Sequence, residues 1–502
     1  MYAYGVWRTD FISDDAFIAF RYARNLARGL GLVWNPGERI EGYSDFLLVI
    51  ALAGLERLGV DLVVAGRAQS ATSGIACVLL AGGVTRRLLP REPLLAGAAA
   101  LVVAANPYVA AWGGAGLETT LFAALALGTA LPLSGRAPDA RAFLLASALA
   151  LLLALTRPEG VALYVALALA AFGSAEGDLQ QRLRALAPGA ALFTVLGATY
   201  FAWRLSYFGD WLPNTFRAKS GFTPAHALRG LAYLVAFAAN PFVWLELPLA
   251  TLGAVALWRR RERALPALAL ALLAVVIGVG GDGLPMYRFL VPLIPVAAVL
   301  AAIGANALTA RWIPGAAHSG VALAAVGAVF ALSFFPVRDA QYGLMVEQRD
   351  YEIPTWRAVG DALGHVLPHD ALVAAVPIGA LGWYSDLPIL DMAGLTDRTI
   401  ARAPVPTGSG WAGHEKHDGR YVLSRRPDAI LLGNILVADA AHVPLHLFPT
   451  FTNPYTAARE GDVPEQPEFR RDYVQAALRL ADHATLHFFV RRDRAKLLTP
   501  GE

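Results

Sequence analysis

Charged residues and cysteine are both scarce in this chain of 502 residues. Asp, Glu, Lys and Arg make up 16% of it, against about a quarter in a soluble globular protein. The hydrophobic fraction of 56% and the mean hydropathy of +0.48 are typical of a polytopic membrane protein. The single cysteine, Cys77, excludes an intrachain disulfide and a cysteine-based metal site. The small net charge of +3, without a basic stripe, argues against nucleic acid as a partner.

Long apolar runs predict about ten membrane helices, so the lipid bilayer is the expected solvent of this chain. They occupy 68–88, 94–112, 117–134, 141–156, 159–173, 188–208, 241–258, 264–280, 288–308 and 318–336. Two further segments, 46–58 and 225–240, are predicted to be interfacial or re-entrant helices. Residues 1–7 resemble the end of a membrane helix, and we expect its beginning to lie upstream of this chain.

Arginine placement predicts the orientation, because cytoplasmic loops carry an excess of Lys and Arg. If the first full segment runs inward, alternate short connections hold Arg86, Arg87, Arg91, Arg136, Arg141, Arg182, Arg184, Arg259, Arg260, Arg261, Arg263 and Arg311. The opposite connections are rich in aromatic and polar residues and are then expected outside the cytoplasm. The acidic stretch Ser13-Asp14-Asp15 falls on the same outer side.

Several cations break this charge bias, since Arg157, Arg204, Arg217, Lys219 and Arg288 lie at the expected outer boundary. Each could pair with a nearby carboxylate, such as Asp210, Asp282 or Glu159. The alternative is that they gather around an anionic substrate group, and arginine suits phosphate because its planar fork binds two oxygens. Both explanations stay open for any one residue, and phosphate binding is favoured for the set.

The two adjacent aspartates also have two explanations. Asp14 and Asp15 open a helix-like run from Phe17 to Leu30, where carboxylates suit the helix dipole. Alternatively, one of them is a catalytic base. Neighbouring helical residues point about 100° apart, so we expect one carboxylate to face a cavity while the other caps a helix or holds an arginine.

Residues 337–502 carry more charge, proline and histidine, and predict a separate soluble α/β domain on the outer side. Residues 1–336 then form the membrane domain, with its first outer loop at 8–67. In the C-terminal domain we expect helices at 353–366, 418–425 and 472–483, and strands at 371–376, 388–391, 428–432 and 485–490.

A set of short motifs lies in the expected outer loops and in the C-terminal domain. They are Asp14-Asp15-Ala16-Phe17-Ile18, Glu41-Gly42-Tyr43-Ser44, Gly116-Leu117-Glu118-Thr119, Arg157-Pro158-Glu159-Gly160, Pro213-Asn214-Thr215-Phe216, Gly281-Asp282, Arg288-Phe289-Leu290, Gly394-Leu395-Thr396-Asp397 and His414-Glu415-Lys416. In combination they resemble the arabinofuranosyltransferase B family of GT-C membrane glycosyltransferases. That family serves mycobacterial and corynebacterial cell walls and has relatives named as flagellar motor control proteins.

The resemblance implies a GT-C fold, a polyprenyl-phosphate sugar donor, and Asp14 or Asp15 as the catalytic aspartate. We expect the donor phosphate to be bound by Arg157, Arg204, Lys219 and Arg288. Further substrate contacts are expected from Glu41, Tyr43, Trp112, Glu118, Glu159, Asn214, Asp282, His414 and Lys416. A divalent metal stays an open question.

The expected enzyme sits in the bacterial inner membrane and transfers a sugar, with arabinofuranose the leading candidate, to a cell-envelope glycan outside the cytoplasm. The main alternative is a non-catalytic membrane protein, either a transporter or a motor-associated scaffold. A transporter should place ionisable residues at mid-membrane in broken helices. Here they lie at one boundary, which favours the enzyme. A lipid-phosphate hydrolase, with water as acceptor, also stays open.

Overall fold

The computed structural model describes residues 1–135, 137–219, 221–313, 317–334, 340–440, 442–452, 456, 460, 462–480 and 484–498. Its first part is helical. The helices are α1 (Tyr2–Thr9), α2 (Asp14–Ala27), α3 (Phe46–Arg57), α4 (Leu62–Leu88), α5 (Pro93–Ala105), α6 (Pro107–Trp112), α7 (Thr119–Ala130), α8 (Ala140–Thr156), α9 (Gly160–Ser174), α10 (Leu179–Phe208), α11 (Asn214–Lys219), α12 (Pro224–Ala238), α13 (Pro241–Arg259), α14 (Ala264–Val279), α15 (Leu293–Trp312) and α16 (Ala317–Leu332). A 3₁₀ turn, Arg288–Leu290, precedes α15.

Four of the described helices are long and apolar enough to cross a membrane by length and composition, namely α4, α10, α13 and α15. Six shorter apolar helices accompany them, α5, α7, α8, α9, α14 and α16. All ten overlap the predicted apolar segments. Helix α10 starts earlier than expected because Asp178 and Gln181 form a capping box there. The segment 94–112 is divided at Pro107, which lacks an N–H, and Asn106 caps α6 after the break.

Small residues let two of the long helices approach closely. Gly253 of α13 faces the backbone carbonyl of Leu300 in α15, and Gly304 of α15 faces the carbonyl of Leu249 in α13. A methyl group at either glycine would overlap the opposing backbone. Close packing through small residues is the usual way for membrane helices to associate, since lipid removes the hydrophobic driving force between them.

The C-terminal part is a small α/β layer. Its helices are α17 (Ala340–Glu347), α18 (Ile353–Val366), α19 (Gly379–Ser385), α20 (Arg398–Ala401), α21 (Gly419–Ser424), α22 (Pro449–Thr452) and α23 (Pro467–Asp472), with a π turn at Gln348–Glu352 and 3₁₀ turns at Leu445–Leu447, Val463–Glu465 and Arg492–Leu498. Its strands are β1 (Val373–Ala375), β2 (Ile389–Asp391), β3 (Ala429–Ile430), β4 (Val437–Ala438), β5 (Tyr473–Arg479) and β6 (Thr485–Arg491).

The sheet combines parallel and antiparallel pairs. Strand β1 pairs in parallel with β2 and β3, with Val373 opposite Ile389 and Ala429. Strand β6 is antiparallel to β3, β4 and β5. One predicted element is wrong, because residues 473–479 of the helix expected at 472–483 form strand β5, whereas residues 481–483 lie outside the described ranges. Strand β5 pairs with β6 along its whole length, and this pairing overrides the helical preference of its Ala and Leu residues.

The C-terminal part is fastened directly to α2. Arg21 donates to the backbone carbonyls of Trp34, Gly382 and Leu387 at 3.1, 2.6 and 2.7 Å, and its guanidinium stacks on the Trp34 ring. Arg21 is thus a bridge between the first loop and the α19 region. The predicted boundary between residues 336 and 337 and the loop arginine Arg136 lie outside the described residues.

Candidate active site

A cavity of about 690 Å³ lies where the loops of the helical part meet the C-terminal part. Its walls come from the start of α2, the loop before α3, the segments before α7 and after α8, α11, the loop after α14, and a C-terminal loop at 412–413. It brings together eight of the predicted site residues: Asp15, Tyr43, Glu118, Arg157, Glu159, Lys219, Asp282 and Arg288. Loops that are far apart in sequence therefore contribute their charged side chains to one cavity.

Asp15 is the carboxylate of the acidic pair that faces this cavity. Its Oδ2 lies 3.4 Å from Lys219 Nζ and 3.8 Å from Arg288 Nη1. Burial raises the pKa of Asp15, but Lys219, Arg288 and His414 outweigh it and hold the pKa below its usual value. Asp15 is thus ionised at neutral pH and can accept a proton or a hydrogen bond.

Asp14 points the other way. Its carboxylate accepts hydrogen bonds from the backbone N–H groups of Gly379 and Ala380, at 3.1 and 2.7 Å, at the start of α19. Burial raises its pKa to about 7, although the Ala380 N–H bond opposes the shift. It caps α19 and not its own helix, where Ser13 is the N-cap residue. The expectation that the two aspartates differ in role matches this geometry, but Asp14 is not at the cavity.

The arginines of the cavity are paired with carboxylates. Arg288 binds Asp282 through two nitrogens at 2.6 and 3.0 Å. Arg157 reaches Glu118 at 2.8 Å and Glu159 at 3.1 Å. Burial lowers the pKa of Arg288, but Asp282, Asp15 and Glu118 together outweigh it, so the pKa is raised. The pairings with Asp282 and Glu159 are those expected from the sequence, yet both arginines also line the cavity.

The ring of Phe289 lies beneath both guanidinium groups. The Arg157 and Arg288 carbon centres are 4.6 and 5.1 Å from its centroid. This cation–π stacking fixes the two side chains over one face of the cavity. The sequence motif Arg288-Phe289-Leu290 contains Phe289 but does not predict this role for it.

Arg204 and Glu41 lie away from the cavity, contrary to the expected substrate contacts. They form a buried ion pair with each other. Arg204 also donates to the carbonyls of Asp210 and Trp211 at 3.1 Å. A buried charge needs a partner of opposite sign, and these two satisfy each other while shaping the loop that leads into α11.

Asn214, Lys416 and Trp112 also serve as supports and not as cavity walls. The Asn214 amide donates to the carbonyls of Gly394, Leu395 and Asp397 within 3.1 Å. Lys416 Nζ donates to the carbonyls of Ala403 and Val405. Trp112 is fully buried, and its Nε1 donates to the Met286 carbonyl at 3.1 Å. These contacts hold the cavity loops at their positions.

The loop that contains His414 reaches the cavity at Ala412 and Gly413. Glu415 accepts from the N–H groups of Gly408 and Gly410 and pairs with Arg229 at 3.0 Å. Gly413, with φ of +85°, packs against the aliphatic part of Lys219. Glu415 is buried at this position. His414 lies near enough to Asp15 to help lower its pKa.

Sequence reasoning missed Asp45, which follows the quoted motif by one residue. Asp45 is 4% exposed and lines the cavity, and its Oδ2 has no hydrogen-bond partner among the described residues. The apolar wall was also missed: it consists of Val161, Ala162, Ala271, Ala274, Val275 and Val279 from α9 and α14. Uniformly apolar helices give no sequence signal for which face borders a site.

Within the described ranges, no group of three or more His, Cys, Asp or Glu side chains is arranged to hold a metal ion. Among the cavity carboxylates, Glu118, Glu159 and Asp282 are paired with arginines.

Comparisons with known proteins agree with this architecture. A family profile described as a domain of unknown function (DUF8728) matches residues 338–479. A terminal beta-(1->2)-arabinofuranosyltransferase of Mycobacterium tuberculosis (strain ATCC 25618 / H37Rv) is 30% identical over 281 residues. That match covers 52% of this chain and 43% of the relative, so the chain spans less than half of the relative's length. The resemblance to arabinofuranosyltransferases is confirmed.

Two crystal structures of ArnT from Cupriavidus metallidurans are similar in fold. The structure with bound undecaprenyl phosphate has a TM-score of 0.53 at 14% identity, and covers 78% of this chain and 85% of ArnT. The apo structure has a TM-score of 0.54, also at 14% identity, with coverage of 96% and 94%. The fold is of the GT-C type. With its apolar helices, the chain is a multi-pass membrane protein.

Proposed function

We propose that this chain is a glycosyltransferase that moves a sugar from a polyprenyl-phosphate donor to a cell-envelope glycan. Arabinofuranose is the leading donor sugar, in line with the activity of the mycobacterial relative. The observation that carries the proposal is an ionised carboxylate, Asp15, beside Lys219 and Arg288 in one cavity. A base and a phosphate-binding pair are thereby within reach of one reacting centre.

The cavity offers a path for a lipid-linked donor. Its apolar wall is formed by α9 and α14, both apolar helices of the membrane part. A polyprenyl chain can lie along this wall, since it needs only apolar contact. ArnT, which shares the fold, has been crystallised with undecaprenyl phosphate. The prenyl chain would leave the donor phosphate at the polar end, near Arg288.

Lys219 and Arg288 are the proposed phosphate ligands. Lys219 makes one hydrogen bond among the described residues, to Asp15 at 3.4 Å, and an ammonium group has three donors. Arg288 uses Nε and Nη2 for Asp282, which leaves Nη1 directed toward Asp15. Arg157 is held by Glu118 and Glu159, so we assign it to the electrostatic support of the site.

In the proposed reaction the acceptor hydroxyl attacks the anomeric carbon of the donor sugar. Its proton passes to Asp15, the bond between the anomeric carbon and the phosphate oxygen breaks, and the electron pair remains on the polyprenyl phosphate. Lys219 and Arg288 stabilise the charge that develops on this phosphate. Proton transfer to a placed base typically contributes about two to four orders of magnitude in rate.

The proposed location of the cavity and of the C-terminal domain is the outer face of the bacterial inner membrane. The arginine-rich connections, such as the one that holds Arg259, Arg260 and Arg261, would then face the cytoplasm. An accessibility label at residue 260 should react from the cytoplasm, and a label at residue 414 from outside. A cytoplasmic result at residue 414 contradicts the assignment.

The decisive test is transfer by the purified protein with a panel of polyprenyl-phosphate sugars. We expect a glycan product with one or more of them, and the panel identifies the donor sugar. Lys219→Ala and Arg288→Ala should weaken binding of unglycosylated polyprenyl phosphate, because each removes a charge-assisted contact of about 1.5–3 kcal/mol. The matched control is Arg260→Ala, because Arg260 follows the last residue of α13 and does not line the cavity. Absence of product with every donor contradicts the proposed function, and release of free sugar to water alone favours a hydrolase.

A further inference from the structure

Asp45 lines the cavity and has no part in the proposed transfer. It is the N-cap residue of α3, yet its side chain makes no capping hydrogen bond. An aspartate at this position usually accepts from the backbone N–H groups of the first turn. Its Oδ2 is buried at the cavity wall and has no hydrogen-bond partner among the described residues. A buried polar atom left in this state costs stability unless something binds it.

A second cavity-lining carboxylate is also incompletely satisfied. Glu159 binds Arg157 through Oε1, whereas its Oε2 is buried and has no partner in the described part of the chain. Glu118 lines the same wall and influences the Asp45 carboxyl. This wall thus presents carboxyl oxygens without hydrogen-bond partners among the described residues. The cations Lys219 and Arg288 lie elsewhere in the cavity, beside Asp15.

Buried carboxyl oxygens without hydrogen-bond partners suit a ligand with several hydroxyl donors. A phosphate suits this wall poorly, because its negative charge would lie beside the carboxylates of Glu118 and Glu159. A sugar ring suits it better, since each hydroxyl can donate to a carboxylate and accept from a protonated acid. The arrangement therefore separates the cavity into a cationic end and a hydroxyl-binding wall.

We infer that Asp45, together with Glu159, forms a subsite that binds the hydroxyl groups of a sugar ring in the cavity. This inference rests on the proposed function and names the part of the site that recognises the sugar. The sugar belongs either to the donor or to the end of the acceptor glycan, and both present the same hydroxyl chemistry. Asp45 is a substrate-binding residue here, distinct from the base Asp15.

The protonation state of Asp45 supports this role. Burial raises the pKa of Asp45 to about 8. The nearby carboxylates of Glu118 and Asp15 add to this rise, whereas Arg157 opposes it. The carboxyl is therefore neutral at pH 7 and carries a proton that it can donate. Above about pH 8 it ionises beside Glu118 and Asp15, so that it can only accept, and sugar binding should weaken.

The experiment compares Asp45→Ala, Asp45→Asn and wild type in transfer kinetics. Asp45→Ala should raise KM for the sugar substrate that occupies the subsite by about three- to tenfold, the loss typical of one hydrogen bond. A rise in donor KM or in acceptor KM identifies the source of the sugar. Asp45→Asn should recover part of the loss, because an amide both donates and accepts. Asp370→Ala, an exposed aspartate of the C-terminal part, is the control and should match wild type.

Three further measurements keep the test decisive. Binding of unglycosylated polyprenyl phosphate should be equal in Asp45→Ala and wild type, since the phosphate lies at the cationic end. The KM of wild type should rise above about pH 8 and that of Asp45→Asn should not, which decides the matter even if Asp45→Ala does not fold. Binding of methyl arabinofuranoside, followed by NMR, reports the subsite without any transfer.

Unchanged KM values for both substrates in Asp45→Ala, or the same pH dependence in wild type and Asp45→Asn, would overturn the subsite while leaving the transferase intact. A wild-type protein that binds the sugar but transfers none contradicts the proposed function and not the subsite.

Discussion

Asp14 allows a direct test of the bridge between the helical and C-terminal parts. Asp14 is 8% exposed, and its carboxyl receives two backbone hydrogen bonds from the start of α19. Burial raises its pKa from 3.8 to about 7. Between these values the folded protein binds more protons than the unfolded chain, so stability falls as pH rises through this window. The shift corresponds to roughly 4 kcal/mol at about 1.36 kcal/mol per pKa unit.

The perturbation is Asp14→Asn, which keeps the shape and one acceptor but cannot titrate. Other carboxylates titrate in both proteins, so the difference between wild type and variant isolates Asp14. We expect the variant to gain stability relative to wild type as pH rises from about 4 to 8, by up to roughly 4 kcal/mol. The assay is thermal or denaturant unfolding in detergent at several pH values. A stability difference that does not change with pH would refute the reasoning, because it would mean that the hydrogen bonds from Gly379 and Ala380 keep Asp14 ionised.

Two more predictions concern helix packing and the base. Gly253→Ala should destabilise the protein by about 1–3 kcal/mol, because the added methyl group overlaps the Leu300 carbonyl of α15; Gly197→Ala in α10, where nothing lies within 4 Å, should be neutral or slightly stabilising, and equal unfolding temperatures for the two variants would contradict this packing. Lys219→Ala should move the acidic limb of the pH–rate profile to higher pH, since Lys219 helps to lower the pKa of Asp15, and an unmoved limb would show that Asp15 is not the group that titrates.

The membrane part could be predicted from the sequence because apolar runs are a local signal. The ten apolar helices follow from the lengths of the apolar segments. Because successive helices cross in opposite directions, alternate loops are expected on the same side of the membrane. Ion pairs between near neighbours, such as Arg157 with Glu159 and Arg288 with Asp282, were also within reach of sequence reasoning. What these cases share is that the partners are close in the chain.

The remaining features depend on partners that are distant in the chain. Strand β5 has a helix-forming composition, and only its pairing with β6 decides its conformation. Asp14 and Asp15 are distinguishable only once α19 and Lys219 are in place. Arg204 has the charge of a phosphate ligand, but it forms an ion pair with the buried Glu41 instead. Asp45 resembles an ordinary helix cap until Glu118 and Arg157 are seen beside it.

Sugar transfer by Asp15→Asn, with Asp14→Asn as the matched variant, tests most directly whether Asp15 is the catalytic base. Asparagine preserves the shape of Asp15 but removes its basicity, so transfer should fall by about two to four orders of magnitude while polyprenyl-phosphate binding persists. Asp14→Asn should keep most of its transfer activity at a pH where it is folded, since its carboxyl does not face the cavity. Transfer by Asp15→Asn at a rate near that of wild type would contradict the central claim that Asp15 is the base.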